Sequence, residues 1–130
     1  MGAVLKGILD TSVVIAQNVS ELPDESTISV ATLAELHFGV LVGKTAEIRQ
    51  KRLRRLAEIE SRVDPLPVDA AVARSYGALA QTVVQAGRKP RARVMDILIA
   101  ATASAHDLPL YTHNRDDFKV FEDFIEIKMV

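Results

Sequence analysis

Short apolar runs alternate along this chain with longer stretches of helical period. Val4 to Leu9 is apolar apart from Lys6 and Gly7, closes on Asp10, and predicts a buried strand. Thr11 and Ser12 then stand where a helix starts, ahead of Val13, Val14 and Ile15. Glu21 to Ser26 is polar, contains Pro23 and predicts a loop, and Thr27 to Val30 predicts a second strand. Thr32 with Glu35 three residues later fits a capping box, after which Leu33, Leu36, Val40 and Leu41 recur at helical spacing as far as Gly43. Lys44 to Arg62 predicts a charged helix with Ile48, Leu53, Leu56 and Ile59 as its inner face. Pro65 and Pro67 end it and frame an extended piece through Val68.

Asp69 is placed to cap a helix running to about Ala86, with Gly87 closing it and Pro90 following as a stop. Arg88 to Arg93 reads as a basic loop, and Val94 to Ala105 as a largely buried helix with little polar surface. Leu108 to Tyr111 and Phe124 to Ile127 predict the last two strands. Strands alternating with helices imply an α/β/α sandwich, a mostly parallel sheet covered on both faces. No repeat, low-complexity segment or linker interrupts the pattern, so residues 1–130 are expected to form a single domain.

Composition narrows the class. At 48% hydrophobic and 25% charged residues the chain is globular in character. A domain of this size buries roughly two-thirds of the surface its unfolded chain exposes, enough to fold without staples. The sequence has no cysteine, which excludes disulfides and thiolate metal sites. No apolar run reaches the roughly 18 residues needed to span a membrane, and no secretory signal is recognisable, so a cytoplasmic protein is expected.

The net charge of −1 hides a strong asymmetry. Residues 1–43 carry one basic and five acidic side chains, residues 44–93 twelve and five, and residues 94–130 three and seven. The middle is therefore +7 between two ends of −4 each. A neutral total of this kind can conceal a basic surface suited to a nucleic acid.

Ligands of parallel sheets bind at the carboxyl ends of the strands. Asp10 lies at the end of the first predicted strand, and Asn114, Asp116 and Asp117 follow the strand ending near Tyr111. Asp96 sits near the start of an apolar helix, and Glu35 in the first turns of its own. Two like charges about 4 Å apart repel by roughly 4 kcal/mol at an effective dielectric near 20. A hard divalent cation with oxygen ligands relieves that, and Mg²⁺ or Mn²⁺ held so can activate water for phosphodiester cleavage.

Leu9-Asp10-Thr11-Ser12-Val13, Ala34-Glu35-Leu36, Met95-Asp96-Ile97-Leu98-Ile99-Ala100-Ala101 and Thr112-His113-Asn114-Arg115-Asp116-Asp117-Phe118 resemble, in order and spacing, the PIN-domain family and its VapC toxins of toxin–antitoxin pairs. The resemblance spans essentially the whole chain. It implies a PIN fold, Mg²⁺- or Mn²⁺-dependent endoribonuclease activity, inhibition by a small VapB-type antitoxin, and a homodimer. It also implies an acidic quartet of Asp10, Glu35, Asp96 and Asp117. In that quartet Asp10 and Asp96 are the core metal ligands, and Glu35 and Asp117 hold a second ion or its waters. Thr11, Ser12, Thr112 and Asn114 are the supporting polar groups. Asp116 and Asp117 are adjacent, and the family spacing favours Asp117.

Each signal also has a structural reading. Asp10 and Asp96 can cap the helices that follow them, Glu35 can be the far half of a capping box, and Asp117 can be surface charge. Nothing pairs a histidine with Ser12 for nucleophilic catalysis, and His37, His106 and His113 read as structural, although His113 adjoins the site. Lys51, Arg52, Arg54 and Arg55 read as the solvated face of a helix, whereas Arg88, Lys89, Arg91 and Arg93 read as the RNA contact. Two alternatives remain open. An α/β phosphohydrolase or receiver domain would favour an acid where Ser12 stands or an acidic pair before Asp10. A non-catalytic interaction module would not bind Mn²⁺.

Overall fold

The computed structural model describes residues 5–18 and 21–130. Among the described residues four three-residue strands, β1 (Gly7–Leu9), β2 (Ser26–Ile28), β3 (Leu110–Thr112) and β4 (Ile127–Met129), form one sheet in the order β2-β1-β3-β4. Every neighbouring pair is parallel, with Ile8 opposite Thr27 on one side and Leu110 on the other. The pleat sends successive side chains to opposite faces, and this divides the core. Ile8 and Leu110 join a cluster with Val72, Leu79 and Val83 of α4 (Ala70–Gln85) and Ile97, Ala100 and Ala101 of α5 (Val94–Ala105). Their neighbours Leu9 and Tyr111 turn to the other face. There they pack with Val13 and Val14 of α1 (Thr11–Ala16), Leu36 of α2 (Val30–Leu41) and Ile59 of α3 (Ala46–Arg62). The result is the expected three-layer sandwich with a parallel sheet. Among the described residues no helix is long and apolar enough to cross a membrane.

The strand ends fall later or earlier than the apolar pattern suggests, because backbone donors are already spent. The N–H of Leu108 closes α5 on the carbonyl of Ala103 (2.9 Å), and Pro109 has no donor, so β3 begins at Leu110. Phe124 and Ile125 both donate to Phe121 at the end of a 3₁₀ turn (Lys119–Phe121), so β4 begins at Ile127. Val4 of the predicted first strand lies outside the described residues.

The second strand gives way at Ser29, which caps α2 by accepting from the Ala31 N–H at 3.0 Å. Thr32 and Glu35 therefore lie inside the helix, and the capping box does not form. Asp69 caps α4 and Thr45 caps α3, and Gly87 takes the left-handed φ of 78° beyond α4. On α3, Leu56 and Ile59 are buried, whereas Leu53 is 55% exposed. At 100° per residue Leu53 lies roughly 120° around the helix from Ile59, on the flank rather than the inner face.

Lys51, Arg52 and Arg54 of α3 are exposed, as a solvated face requires, and Arg55 turns partly inward. Arg49 donates to the Gly43 carbonyl at 2.8 Å and Arg52 to that of Gly39 at 2.7 Å, both at the end of α2. Arg55 donates to the carbonyls of Val14 and Gln17, at the end of α1. Three arginines thus serve the orphan carbonyls and negative dipole ends of two helices.

Candidate active site

From β1 the chain crosses to β2 on one side, whereas β3 pairs on the other, so the crevice of the sheet opens between the ends of β1 and β3. Asp10 follows β1 and Thr112 ends β3, and the two meet there: the Thr112 hydroxyl donates to Asp10 Oδ2 at 2.5 Å. Asp10 Oδ1 accepts from the Ser12 hydroxyl (2.6 Å) and from the Val13 N–H (3.0 Å), the second bond capping α1. Both hydroxyls are themselves held by backbone. The His113 N–H donates to Ser12 Oγ at 3.2 Å and the Asn114 N–H to Thr112 Oγ1 at 2.9 Å. Each oxygen of Asp10 therefore receives a relay from main chain through hydroxyl to carboxylate. The side chain is nearly buried, at 3% exposure for the residue. Three of about four lone-pair sites on the carboxylate are taken, and capping and site-building use the same group.

Glu35 comes to this crevice from α2. It accepts from the Thr11 hydroxyl at 2.6 Å, and Thr32, fully buried one turn earlier, lies 3.2 Å from the same hydroxyl. Asp96 stands in the first turn of α5, where no side chain caps the helix. Burial lifts its carboxyl above the ordinary carboxylate range, the Arg93 guanidinium works against that rise, and the charges of Asp117 and Glu35 add to it. Asp117 lies in the short helix α6 (Arg115–Phe118), its N–H bonded to the Asn114 carbonyl at 3.1 Å. Asp10, Thr11, Ser12, Glu35 and Thr112 are thus joined through neighbouring residues of α1, and Glu35 and Asp117 through their influence on Asp96. Asp116 is exposed, and among the neighbours that shift Asp96 it has no part. Among the described residues no three carboxylate or imidazole side chains converge tightly enough to hold an ion as they stand.

The four basic residues before α5 separate into two kinds. Arg88, Lys89 and Arg91 are exposed. Arg93, the last residue of a 3₁₀ turn (Pro90–Arg93), folds inward with 13% of its side chain exposed. Its guanidinium lies 5.6 Å over the Phe121 ring and 3.7 Å from Asp96 Oδ2, an ion pair too long for a hydrogen bond. The sequence marks this pair only as an i,i+3 spacing, a weak cue on a helix. Thr32 carried no site signal in sequence beyond the capping pattern it does not form. His113 Nε2 is buried without a hydrogen-bond partner.

A parallel sheet between helical layers, with a buried aspartate at its switch point and Glu35 and Asp117 near enough to influence Asp96, defines the class of protein. The PIN domain family matches residues 8–123, and this chain belongs to that family. Within it, the chain is 36% identical over 130 residues to ribonuclease VapC5 of Mycobacterium tuberculosis, covering 95% of this chain and 93% of that protein. It is 37% identical to ribonuclease VapC8 of the same organism over 78% of this chain and 94% of the relative. The crystal structure of VapBC-5 from Mycobacterium tuberculosis, a member of the VapBC family of toxin-antitoxin systems, superposes with a TM-score of 0.79 at 37% identity, covering 96% of this chain and 97% of that one.

Proposed function

We propose that this chain is a metal-dependent endoribonuclease acting as the toxin of a toxin–antitoxin pair. The observation that carries the reading is the surplus of negative charge around Asp96: a half-buried carboxyl, 3.7 Å from Arg93, is still held above its ordinary range by burial and by the charges of Asp117 and Glu35. The names of the relatives support the choice of RNA as substrate and of a VapB-type antitoxin as partner.

The donor set suits Mg²⁺ or Mn²⁺. It is all oxygen, without cysteine, and Asp10 keeps an open lone-pair site. Mg²⁺ keeps several waters and is held by one or two carboxylates, so a site short of three converging side chains fits it better than it fits a Ca²⁺ cage. Asp10 and Asp96 would hold the ion, and Glu35 and Asp117 a second ion or its waters. When bound, such an ion lowers the pKa of a water and offsets charge on the phosphodiester. The hydroxyl relays keep Asp10 in one orientation, and Thr11 does the same for Glu35. Arg88, Lys89 and Arg91 are free to follow RNA phosphates, which position a substrate without reading its sequence.

For the protein partner, a groove of about 550 Å³ runs between α1, α2 and α3, lined by Ile15, Leu36, Ile48 and Leu56 and reaching Glu35. An antitoxin segment seated there would cover apolar surface and approach the acidic centre together. The test is expression of the chain in cells with and without a candidate antitoxin, followed by mapping of new RNA ends. Ends that appear with the wild type, vanish with Asp10→Asn and are suppressed by the antitoxin support the proposal. No new ends from a folded wild-type protein would refute it.

A further inference from the structure

Arg88, Lys89, Arg91 and Arg93 look equivalent as a basic run, but one of them is built differently. A guanidinium removed from water needs hydrogen-bond acceptors, because each buried N–H left unmatched costs free energy. The Arg93 side chain is only 13% exposed, and both its Nη1 and Nη2 are buried without a hydrogen-bond partner. Its neighbour Asp96 offers an ion pair at 3.7 Å and no bond. The plane of the guanidinium is steadied by Phe121, itself fully buried, 5.6 Å below. Asp96 keeps 38% of its side chain exposed, so Arg93 is paired with a carboxylate that a substrate can reach, while its own Nη1 and Nη2 stay closed to solvent until the side chain turns.

We propose that Arg93 is a catalytic residue that grips the scissile phosphate, its two unmatched nitrogens taking a non-bridging phosphate oxygen each as the RNA enters. The inference rests on the nuclease reading above and assigns Arg93 a role apart from its exposed neighbours. A planar fork matches a phosphate bidentately, which a lysine ammonium cannot do. The arrangement also separates two tasks. Arg88, Lys89 and Arg91, exposed to solvent, hold RNA of any geometry. Arg93, already desolvated and stacked, gives up its long pairing with Asp96 and turns its closed nitrogens outward to meet the phosphate where negative charge grows during the reaction. Its attraction to Asp96 then passes to the phosphate, while the carboxylate is left for a cation.

The test uses the full chain and a labelled oligoribonucleotide spanning a mapped cut, with Mn²⁺ varied to saturation. Arg93→Lys and Arg93→Gln are compared with the wild type and with Asp10→Asn, each checked by thermal melting so that one folded variant suffices. The expected result is a fall in kcat of roughly 100-fold for Arg93→Lys with KM changed only a few-fold, as for loss of a preorganised donor. Arg91→Gln should instead raise KM and leave kcat close to wild type. Three results would overturn the assignment. If the wild type cuts, Asp10→Asn is inert and Arg93→Lys cuts at the wild-type rate, Arg93 does not touch the phosphate. If saturating Mn²⁺ restores kcat in Arg93→Lys, the residue only positions Asp96. If the wild type itself fails to cut, the nuclease reading falls and takes this role with it.

Discussion

Asp10 and Asp96 are two aspartates of one crevice held in opposite ways. Asp10 is almost wholly buried, yet its oxygens accept three hydrogen bonds and two of the donors are anchored by main chain. Asp96 is more open, yet it has a single long ion pair and a carboxyl driven upward. Burial alone therefore does not decide how well a charge is tolerated; the count and direction of donors does. The β1–β3 side of the crevice is a finished scaffold, and the α5 side is a charge waiting for a partner. The largest expected effect treats both sides alike: Asp10→Asn and Asp96→Asn should each lower Mn²⁺-supported RNA cleavage by on the order of 1000-fold or more while the domain stays folded. Initial rates on the mapped substrate check this. Retention of full activity by either variant would remove that aspartate from the site.

Stability should then separate the two. Asp10→Ala strands the Ser12 and Thr112 hydroxyls and the Val13 N–H and removes the cap of α1, a loss of about 3 kcal/mol. Asp96→Asn relieves repulsion from Glu35 and Asp117 but removes the counter-charge of the nearly buried Arg93, so without divalent ions its urea midpoint should fall by less than that of Asp10→Ala. Equal losses at both positions would erase the distinction between scaffold and poised charge.

The pH dependence follows from the direction of the Asp96 shift. A folded-state carboxyl raised above its ordinary value of 3.8 binds its proton more tightly than in the unfolded chain. The protonated form therefore favours folding below the unfolded value, and that contribution is lost as pH rises through the raised one. With a chelator present, wild-type stability should show this fall as pH rises from 3.8 through the raised folded-state value, and Asp96→Asn should lack it. Mn²⁺ at ten times its Kd should return about 1.4 kcal/mol to the wild type at neutral pH. Thermal melts at several pH values read both, and an unchanged pH profile in Asp96→Asn would assign the titration elsewhere.

The same contrast explains what the sequence could reveal. Asp10 was legible because a strand end, a cap and a Thr-Ser pair all point to it, and the short apolar runs around it give the sheet. Ser29, fully buried between β2 and α5, displaced the capping box because only tertiary packing makes it the better cap, its hydroxyl also accepting from Thr102 at 3.1 Å. The exposed basic face of α3 was legible, but the carbonyls its arginines serve, in Gly39, Gly43, Val14 and Gln17, were not, because they lie up to 41 residues away. Arg93 was hidden in a basic run for the same reason: Phe121, on which it stacks, belongs to a segment on the far side of β3. The periods of strands and helices are local and survive in the sequence. The pairing of one charge with one distant carbonyl or ring is not.

The smallest expected effects come from single hydroxyls, and they test how finished the scaffold is. Thr112→Val keeps the shape of the residue but removes the donor to Asp10 Oδ2 and the acceptor of the Asn114 N–H. With Thr112 fully buried, the loss should be about 1.5 kcal/mol by urea denaturation, with a several-fold fall in kcat as Asp10 gains freedom. Thr11→Val removes the donor to Glu35 in a half-exposed setting where water can replace it, so about 0.5 kcal/mol is expected. The order of these two values carries the argument. A larger loss from Thr11→Val would mean that the Glu35 side is the rigid one, and that the hydroxyls around Asp10 fill space without fixing its orientation.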